Sequence, residues 1–206
     1  MIGRPLIHVV DDDDSLRAAL VRLLGEAGFE TRAYASTGDF LLKRPEDRHG
    51  CLLLDVRMPG PSGLELQAAL EHQGVHLPVI FLTGHADVIS SVRAMKAGAV
   101  DFLSKPVPRD VLLGAIARAL AVDEAQRRSR EESDLLRARF ALLTAREREV
   151  FDRIVAGRLN KQIADELGIG ERTVKAQRAQ VLAKLGVESV AELGRLAERL
   201  QSLTRG

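Results

Sequence analysis

The sequence of 206 residues has only one cysteine, Cys51, and no apolar run long enough to cross a membrane. One cysteine cannot form an intrachain disulfide framework or a metal site made of several thiolates. A membrane-spanning helix needs about 20 largely apolar residues, so no transmembrane segment is predicted. The short apolar stretch at the start runs directly into four aspartates, a pattern that a signal peptide does not have. We therefore expect a protein of the reducing cytoplasm with no membrane partner.

Net charge is also nearly absent, because 30 Lys and Arg face 29 Asp and Glu. Hydrophobic residues make up 46% of the chain, and that much apolar surface excludes a disordered protein. The length exceeds that of one small domain, so two domains are the default expectation.

Residues 1–122 alternate short apolar runs with amphipathic segments. The amphipathic segments repeat apolar residues at helical spacing, as at Leu16, Leu20 and Leu24, which predicts helices. Parallel strands need crossover helices, so the alternation predicts a parallel sheet with helices on both faces. The five predicted strands cover residues 6–10, 29–34, 51–54, 78–82 and 100–103.

A helix that begins near Asp110 is predicted to close this first domain. Residues 123–140 are dense in charge and contain neither proline nor glycine, which predicts a helical linker. The buried side of the closing helix is predicted to carry Val111, Leu112, Ala115, Ile116 and Leu120.

Residues 141–206 show no strand pattern and predict an all-α domain of four helices. Thr144 and Glu147 have the spacing of a capping box at the start of the first helix. Two short helices around Gly168 are typical of a helix-turn-helix. The buried stripe of the first helix is predicted to be Val150, Phe151, Ile154 and Val155.

Polar residues follow four of the predicted strands, and parallel strands bring such residues to one edge of the sheet. Carboxylates without soft ligands form a hard-oxygen site that suits Mg²⁺. An aspartate there can act as a nucleophile toward a phosphoryl group, whose oxygens a lysine and a threonine hydroxyl can bind. For any one acid taken alone a helix cap is the better explanation, but capping does not explain the lysine or the threonine. The residues concerned are Asp11, Asp12, Asp55, Thr83 and Lys105.

Four segments carry a resemblance: VVDD at 9–12, LLLDVRMPG at 52–60, FLTGHAD at 81–87 and AMKAGAVDFLSKP at 94–106. Together they resemble the receiver domain of two-component response regulators, which implies a flavodoxin-like, doubly wound domain over residues 1–122. The resemblance implies that Asp55 is the phosphoacceptor and that Mg²⁺ is held by Asp11, Asp12, Asp55 and the backbone carbonyl of Arg57. It also implies that Thr83, Lys105 and the aromatic Phe102 are switch residues and that the Lys105–Pro106 peptide bond is cis.

The segments LTAREREV at 143–150, GRLNKQIADELGI at 157–169 and ERTVKAQRAQVLAKLGV at 171–187 resemble the LuxR/NarL/FixJ-type DNA-binding domain. The resemblance makes the third helix the recognition helix, lying in the major groove. Arg172, Lys175, Arg178 and Lys184 occur in a stretch without acids, which hints at a polyanionic partner. The alternative is a helical docking or dimerisation domain with a solvated basic face. Candidate DNA contacts are Asn160, Lys161, Arg172, Thr173, Lys175, Ala176, Arg178 and Ala179.

The two resemblances imply a transcriptional response regulator of the FixJ subgroup rather than an enzyme. Its expected partners are a sensor histidine kinase, double-stranded promoter DNA, RNA polymerase and, after phosphorylation, a second copy of the chain. One alternative is a DNA-binding protein whose receiver is only a scaffold and needs no phosphorylation. Another is a dehalogenase-like phosphatase with an aspartate nucleophile. Candidate dimer contacts are Val88, Val92, Arg93 and Lys96.

Overall fold

The computed structural model describes residues 4–43, 48–84 and 88–205, and the side chains of Val88 and of residues 201–205 lie outside that description. The chain divides into two units, Met1–Arg127 and Arg128–Gly206. None of the described helices combines the length and the apolar composition that a membrane crossing requires.

The first unit contains a five-stranded parallel sheet in the order β2-β1-β3-β4-β5. This order confirms the predicted doubly wound receiver fold, and all five predicted strands are present. The elements are β1 (Leu6–Val10), α1 (Asp14–Glu26), β2 (Glu30–Tyr34), α2 (Thr37–Leu42), β3 (Gly50–Asp55), α3 (Gly63–His72), β4 (Val79–Thr83), α4 (Val88–Lys96) and β5 (Asp101–Ser104).

The three central strands β1, β3 and β4 are buried along their whole length. Successive side chains of a strand point to opposite faces, so each strand supplies two cores. Leu52 and Leu54 of β3 belong to one apolar cluster, while Cys51 and Leu53 belong to the other. The sheet is therefore a rigid base, and residues at the ends of its strands are held in place by packing on both faces.

Helix α5 (Arg109–Ala141) follows β5 and contains residues 123–140, the predicted linker. Leu112, Ala115 and Ile116 are buried, as predicted, and Leu120 is half-buried. The prediction for Val111 is wrong, since its side chain is 42% exposed. In a helix of 3.6 residues per turn, Val111 lies beside the stripe of residues that contacts the sheet and not within it.

The second unit includes four further helices, α6 (Ala145–Val155), α7 (Asn160–Leu167), α8 (Glu171–Leu185) and α9 (Val190–Arg205), which confirms the all-α prediction. Thr144 and Glu147 form the predicted capping box of α6. Gly168 ends α7 with a φ of 64°, which permits the tight turn into α8. Val150, Phe151 and Ile154 are buried, but the prediction for Val155 is wrong because it lies at the edge of the stripe and is 36% exposed.

Candidate functional site

Polar side chains from four strands meet at the carboxyl edge of the first unit's sheet. Asp11 follows β1, Asp55 ends β3, Thr83 ends β4 and Lys105 follows β5. These four strands are neighbours in the sheet, so residues as much as 94 positions apart come into contact. Ligands of doubly wound folds bind at this edge.

Three carboxylates form the centre of the site. One oxygen from each of Asp11, Asp12 and Asp55 lies within 4.8 Å of the others. Asp11 and Asp55 are buried, whereas Asp12 is exposed to solvent. Oxygen ligands at such spacing, with one side open to water, are consistent with a divalent metal site.

Lys105 is the cation of this cluster. Its Nζ donates hydrogen bonds of 2.7 Å to Asp11 Oδ2 and of 2.7 Å to Asp55 Oδ2. Partial burial alone would lower the pKa of Lys105, but the two carboxylates outweigh it and raise the pKa above its ordinary value. One ammonium against three carboxylates leaves negative charge in excess, so the site favours a further cation.

Backbone groups orient the acids. The N–H of Arg57 donates to Asp55 Oδ1 at 3.2 Å, and the N–H of Asp13 donates to Asp11 Oδ1 at 3.0 Å. Gly63 begins α3 so close to β3 that a Cβ atom there would lie 2.2 Å from the carbonyl oxygen of Asp55. A side chain at this position would displace the end of the strand that carries the acid.

The helix-cap alternative holds for one neighbouring acid. Asp13 is the N-cap of α1, since its carboxylate accepts hydrogen bonds from the N–H groups of Ser15 and Leu16. Asp11 and Asp12 do not cap this helix and instead belong to the acid cluster. Capping therefore explains Asp13 and leaves the clustered acids to be explained by charge chemistry.

The other predicted switch residues, Thr83 and Phe102, lie on β4 and β5. Thr83 is 1% exposed, and its carbonyl oxygen accepts a hydrogen bond of 2.7 Å from the N–H of Lys105. Phe102 is half-buried, with its ring centre 6.0 Å from that of Phe81. The Lys105–Pro106 peptide bond is cis, as the resemblance implied.

One helix face of the second unit collects most of the predicted DNA contacts. In α8, Val174, Val181 and Leu185 are completely buried, which orients the opposite face outward. That face exposes Arg172, Thr173, Lys175, Ala176 and Ala179, and Lys161 of α7 is also exposed.

Two of the basic residues are engaged within the unit. Arg178 Nη1 donates a hydrogen bond of 2.8 Å to Asn160 Oδ1, so these two predicted contacts join α8 to α7. Lys184 Nζ donates a hydrogen bond of 2.6 Å to Glu147 Oε2. Because this acid balances the charge of Lys184, the helix offers less positive charge to a partner than its acid-free stretch suggests. Lys184, followed by the Thr144 backbone, lowers the pKa of Glu147 below its ordinary value.

An apolar face on α4 was missed in part by the sequence analysis. Ile89 is 74% exposed and Met95 48% exposed, beside the predicted Val92 at 45%. Arg93 and Lys96 are exposed as well, whereas the side chain of Val88 lies outside the described residues. The sequence did contain a signal for this apolar face, because the short helix has more apolar residues than the sheet can cover.

Comparison with known proteins assigns one family to the first unit and another to the second. Residues 7–117 match the family described as response regulator receiver domain, and residues 141–197 match bacterial regulatory proteins, luxR family. The chain is 42% identical over 197 residues to nodulation protein W of Bradyrhizobium diazoefficiens, covering 96% of this chain and 87% of that protein. It is 44% identical to the C4-dicarboxylate transport transcriptional regulatory protein DctR of Rhodobacter capsulatus, covering 92% and 98%. The solved structure of response regulator StyR matches with 46% identity and a TM-score of 0.85, covering 96% and 100%.

Proposed function

The chain belongs to the response regulator family and joins a receiver domain to a luxR-family DNA-binding domain, and from this premise we propose that phosphorylation of Asp55 controls its binding to promoter DNA. It is a two-component transcription regulator and not an enzyme, which excludes the phosphatase alternative. The receiver implies a cognate kinase, and the helix-turn-helix implies DNA as the ligand. The observation that carries the proposal is the contact of Lys105 with both Asp11 and Asp55 inside the acid cluster.

The proposed donor is the phosphorylated histidine of a sensor kinase. An oxygen of Asp55 attacks phosphorus, the new P–O bond forms as the P–N bond breaks, and the bonding electrons stay on the imidazole of the kinase. Lys105 is placed to neutralise the phosphoryl oxygens, because its ammonium already contacts the acceptor carboxylate. Thr83, at the end of the neighbouring strand, offers its hydroxyl to the same oxygens.

The residues that would hold Mg²⁺ are Asp11, Asp12 and Asp55, with the backbone carbonyl of Arg57 as a fourth ligand. Hard carboxylate oxygens and an exposed side for water suit this ion. When bound, Mg²⁺ supplies positive charge that offsets the acids and the incoming phosphoryl group.

Phosphorylation is proposed to act on α4 and β5. Movement of Thr83 toward the new oxygens leaves room for Phe102 to turn inward from its half-buried position. The exposed Ile89, Val92 and Met95 form an apolar face on α4, and covering it is a favourable outcome of dimerisation. Arg93 and Lys96 flank this face.

A dimer presents two recognition helices to two half-sites, which raises the effective concentration of the second helix. Lys175 is the proposed base or phosphate reader, and Ala176 and Ala179 permit close approach to the groove. Asn160, Lys161, Arg172, Thr173 and Arg178 are proposed phosphate contacts, which position the unit rather than specify sequence. We place this activity in the cytoplasm, where the bound protein would contact RNA polymerase.

The test is selection of genomic DNA fragments by the full chain, with and without acetyl phosphate and Mg²⁺, beside Asp55→Asn. We expect the phosphorylated wild type to enrich promoter fragments that the other samples do not. Equal enrichment by Asp55→Asn would instead support the scaffold receiver. Val92→Asp should retain phosphorylation of Asp55 but lose dimerisation in sedimentation, since it places a charge in the apolar face of α4.

A further inference from the structure

A buried polar cluster lies where β3 begins, at the opposite end of the strand from Asp55. Its centre is Asp123 of α5, whose side chain is fully buried. Asp123 Oδ2 accepts three hydrogen bonds: from His49 Nδ1 at 2.7 Å, from the N–H of Gly50 at 3.0 Å and from Arg127 Nε at 2.9 Å. The carboxylate thus joins α5 to the first residue of β3.

Arg127 extends this connection by one turn of the helix. Its Nη2 donates a hydrogen bond of 2.7 Å to the carbonyl oxygen of Arg48. The guanidinium of Arg48 in turn makes a bidentate pair with Glu30 at the start of β2, at 2.9 and 2.7 Å. Asp123 therefore contacts β3 directly, and Arg127 reaches β2 only through Arg48, although both residues occur in a charge-rich run that is typical of a solvated linker.

The backbone donor in this cluster depends on Gly50. A Cβ atom at Gly50 would lie 1.9 Å from the carbonyl oxygen of Leu6, so only glycine permits β1 and β3 to approach as they do. The packing of the sheet therefore fixes the position of the Gly50 N–H group that donates a hydrogen bond to Asp123.

The cluster is costly compared with an apolar contact. Asp123 Oδ1 is buried and has no hydrogen-bond partner among the described residues, while Oδ2 receives all three donors. Burying a charge with one oxygen unsatisfied is a poor way to stabilise a helix. Directional hydrogen bonds do, however, select one orientation of a helix, whereas apolar contacts tolerate several orientations.

We propose that Asp123 is a positioning residue whose hydrogen bonds fix α5 in one orientation on β3. Phosphorylation-dependent DNA binding requires this contact between Asp123 and β3, which we call the lock. The inference rests on the proposed function for its second part. The rigid strand β3 carries the acceptor Asp55 at one end and the contact of Gly50 with Asp123 at the other, so it connects the phosphorylation site to α5. Helix α5 continues without interruption from the lock to Ala141.

The first experiment measures amide hydrogen exchange of the full chain without any phosphoryl donor. In Asp123→Asn we expect exchange of residues 117–127 to be about tenfold faster than in wild type, because the ionic contact to Arg127 is lost. Arg127→Lys keeps a cation beside Asp123 but loses the paired hydrogen bonds, and it should give a smaller increase. Asp134→Asn is the matched control, an exposed aspartate of the same helix, and should change nothing in these residues.

The second experiment compares the affinity of the same variants for the selected fragments with and without acetyl phosphate. Asp123→Asn should be phosphorylated like wild type, but its phosphorylation-dependent gain in DNA affinity should fall about tenfold. An unchanged gain, unchanged exchange at residues 117–127, or faster exchange throughout the sheet would each overturn the proposal. A wild-type chain that gains no affinity with the donor would contradict the proposed function, and the exchange experiment would still decide whether the lock exists.

Discussion

The acid site of the first unit and the recognition face of the second differ in how they are built. Asp11, Asp55 and Lys105 come from three separate strand ends, are largely buried, and contact one another directly. Lys175 and Ala176 lie on one helix and face solvent. The first site can be judged from contacts within the chain, whereas the second is completed only by a partner molecule. Mutations in the first should therefore change stability as well as function, and mutations in the second should change binding alone.

The largest effect is expected for Lys105→Met. Removing the ammonium leaves Asp11 and Asp55 as unpaired buried carboxylates, which should lower the free energy of unfolding of the first unit by about 3 kcal/mol. The chain has no tryptophan and a single tyrosine, the buried Tyr34 of β2, so tyrosine fluorescence in urea reports on this unit alone.

The exposed Arg22→Met of the same unit is the control and should cost less than about 1 kcal/mol. Mg²⁺ should restore part of the stability lost in Lys105→Met, because it supplies the missing positive charge. Equal losses in both variants would remove the distinction between a buried charge cluster and an exposed face.

The next effect is expected for Lys175→Ala, which should weaken binding to the preferred DNA by about 1–3 kcal/mol and relax its sequence preference. Lys161→Ala should weaken binding to all sequences alike. It should also reduce the slope of the log binding constant against log salt concentration by about one. Both are measured by fluorescence anisotropy with matched and scrambled duplexes. Thermal unfolding followed by circular dichroism, which detects the helices of the second unit, should show unchanged stability for both variants, and a loss of stability would contradict the account of an exposed face.

The strand ends of the receiver could be predicted because each apolar run is short and is followed by a distinctive residue, as Leu54 is by Asp55. Parallel order then brings those residues together. Val111 and Val155 could not be assigned in this way, because a residue beside a helical stripe is covered only if a neighbouring element reaches it. Helical periodicity predicts the direction in which a side chain points. It does not predict how much of the helix surface the neighbouring elements cover.

Long-range polar contacts were also beyond the sequence. Asp123 and His49 are 74 positions apart, and the local composition around Asp123 is that of a solvated helix. Lys184 has the same difficulty, since its partner Glu147 was already explained by the capping box. Such pairs are specified by the packing of whole elements, which no local pattern encodes.

The smallest effect is expected for Lys184→Met in the second unit. Because Lys184 lowers the pKa of Glu147, the folded state gains stability above the ordinary pKa of the acid and loses that gain as pH falls through the lowered value. Wild type should therefore melt at a higher temperature than the variant at pH 6, as followed by circular dichroism, and the difference should disappear as pH falls through the lowered pKa of Glu147. In Lys184→Met, NMR titration should return the pKa of Glu147 toward its ordinary range. A difference that is constant with pH would show that Lys184 acts by packing alone.

The central claim is that the carboxylate of Asp55 accepts a phosphoryl group. Its most direct test is mass spectrometry of the full chain treated with acetyl phosphate and Mg²⁺, followed by peptide mapping, with Asp55→Asn treated in parallel. The account predicts one phosphoryl group on the peptide that contains Asp55 in wild type and none in the variant. An unmodified wild-type chain under these conditions and with its cognate kinase, or modification elsewhere that persists in Asp55→Asn, would contradict it.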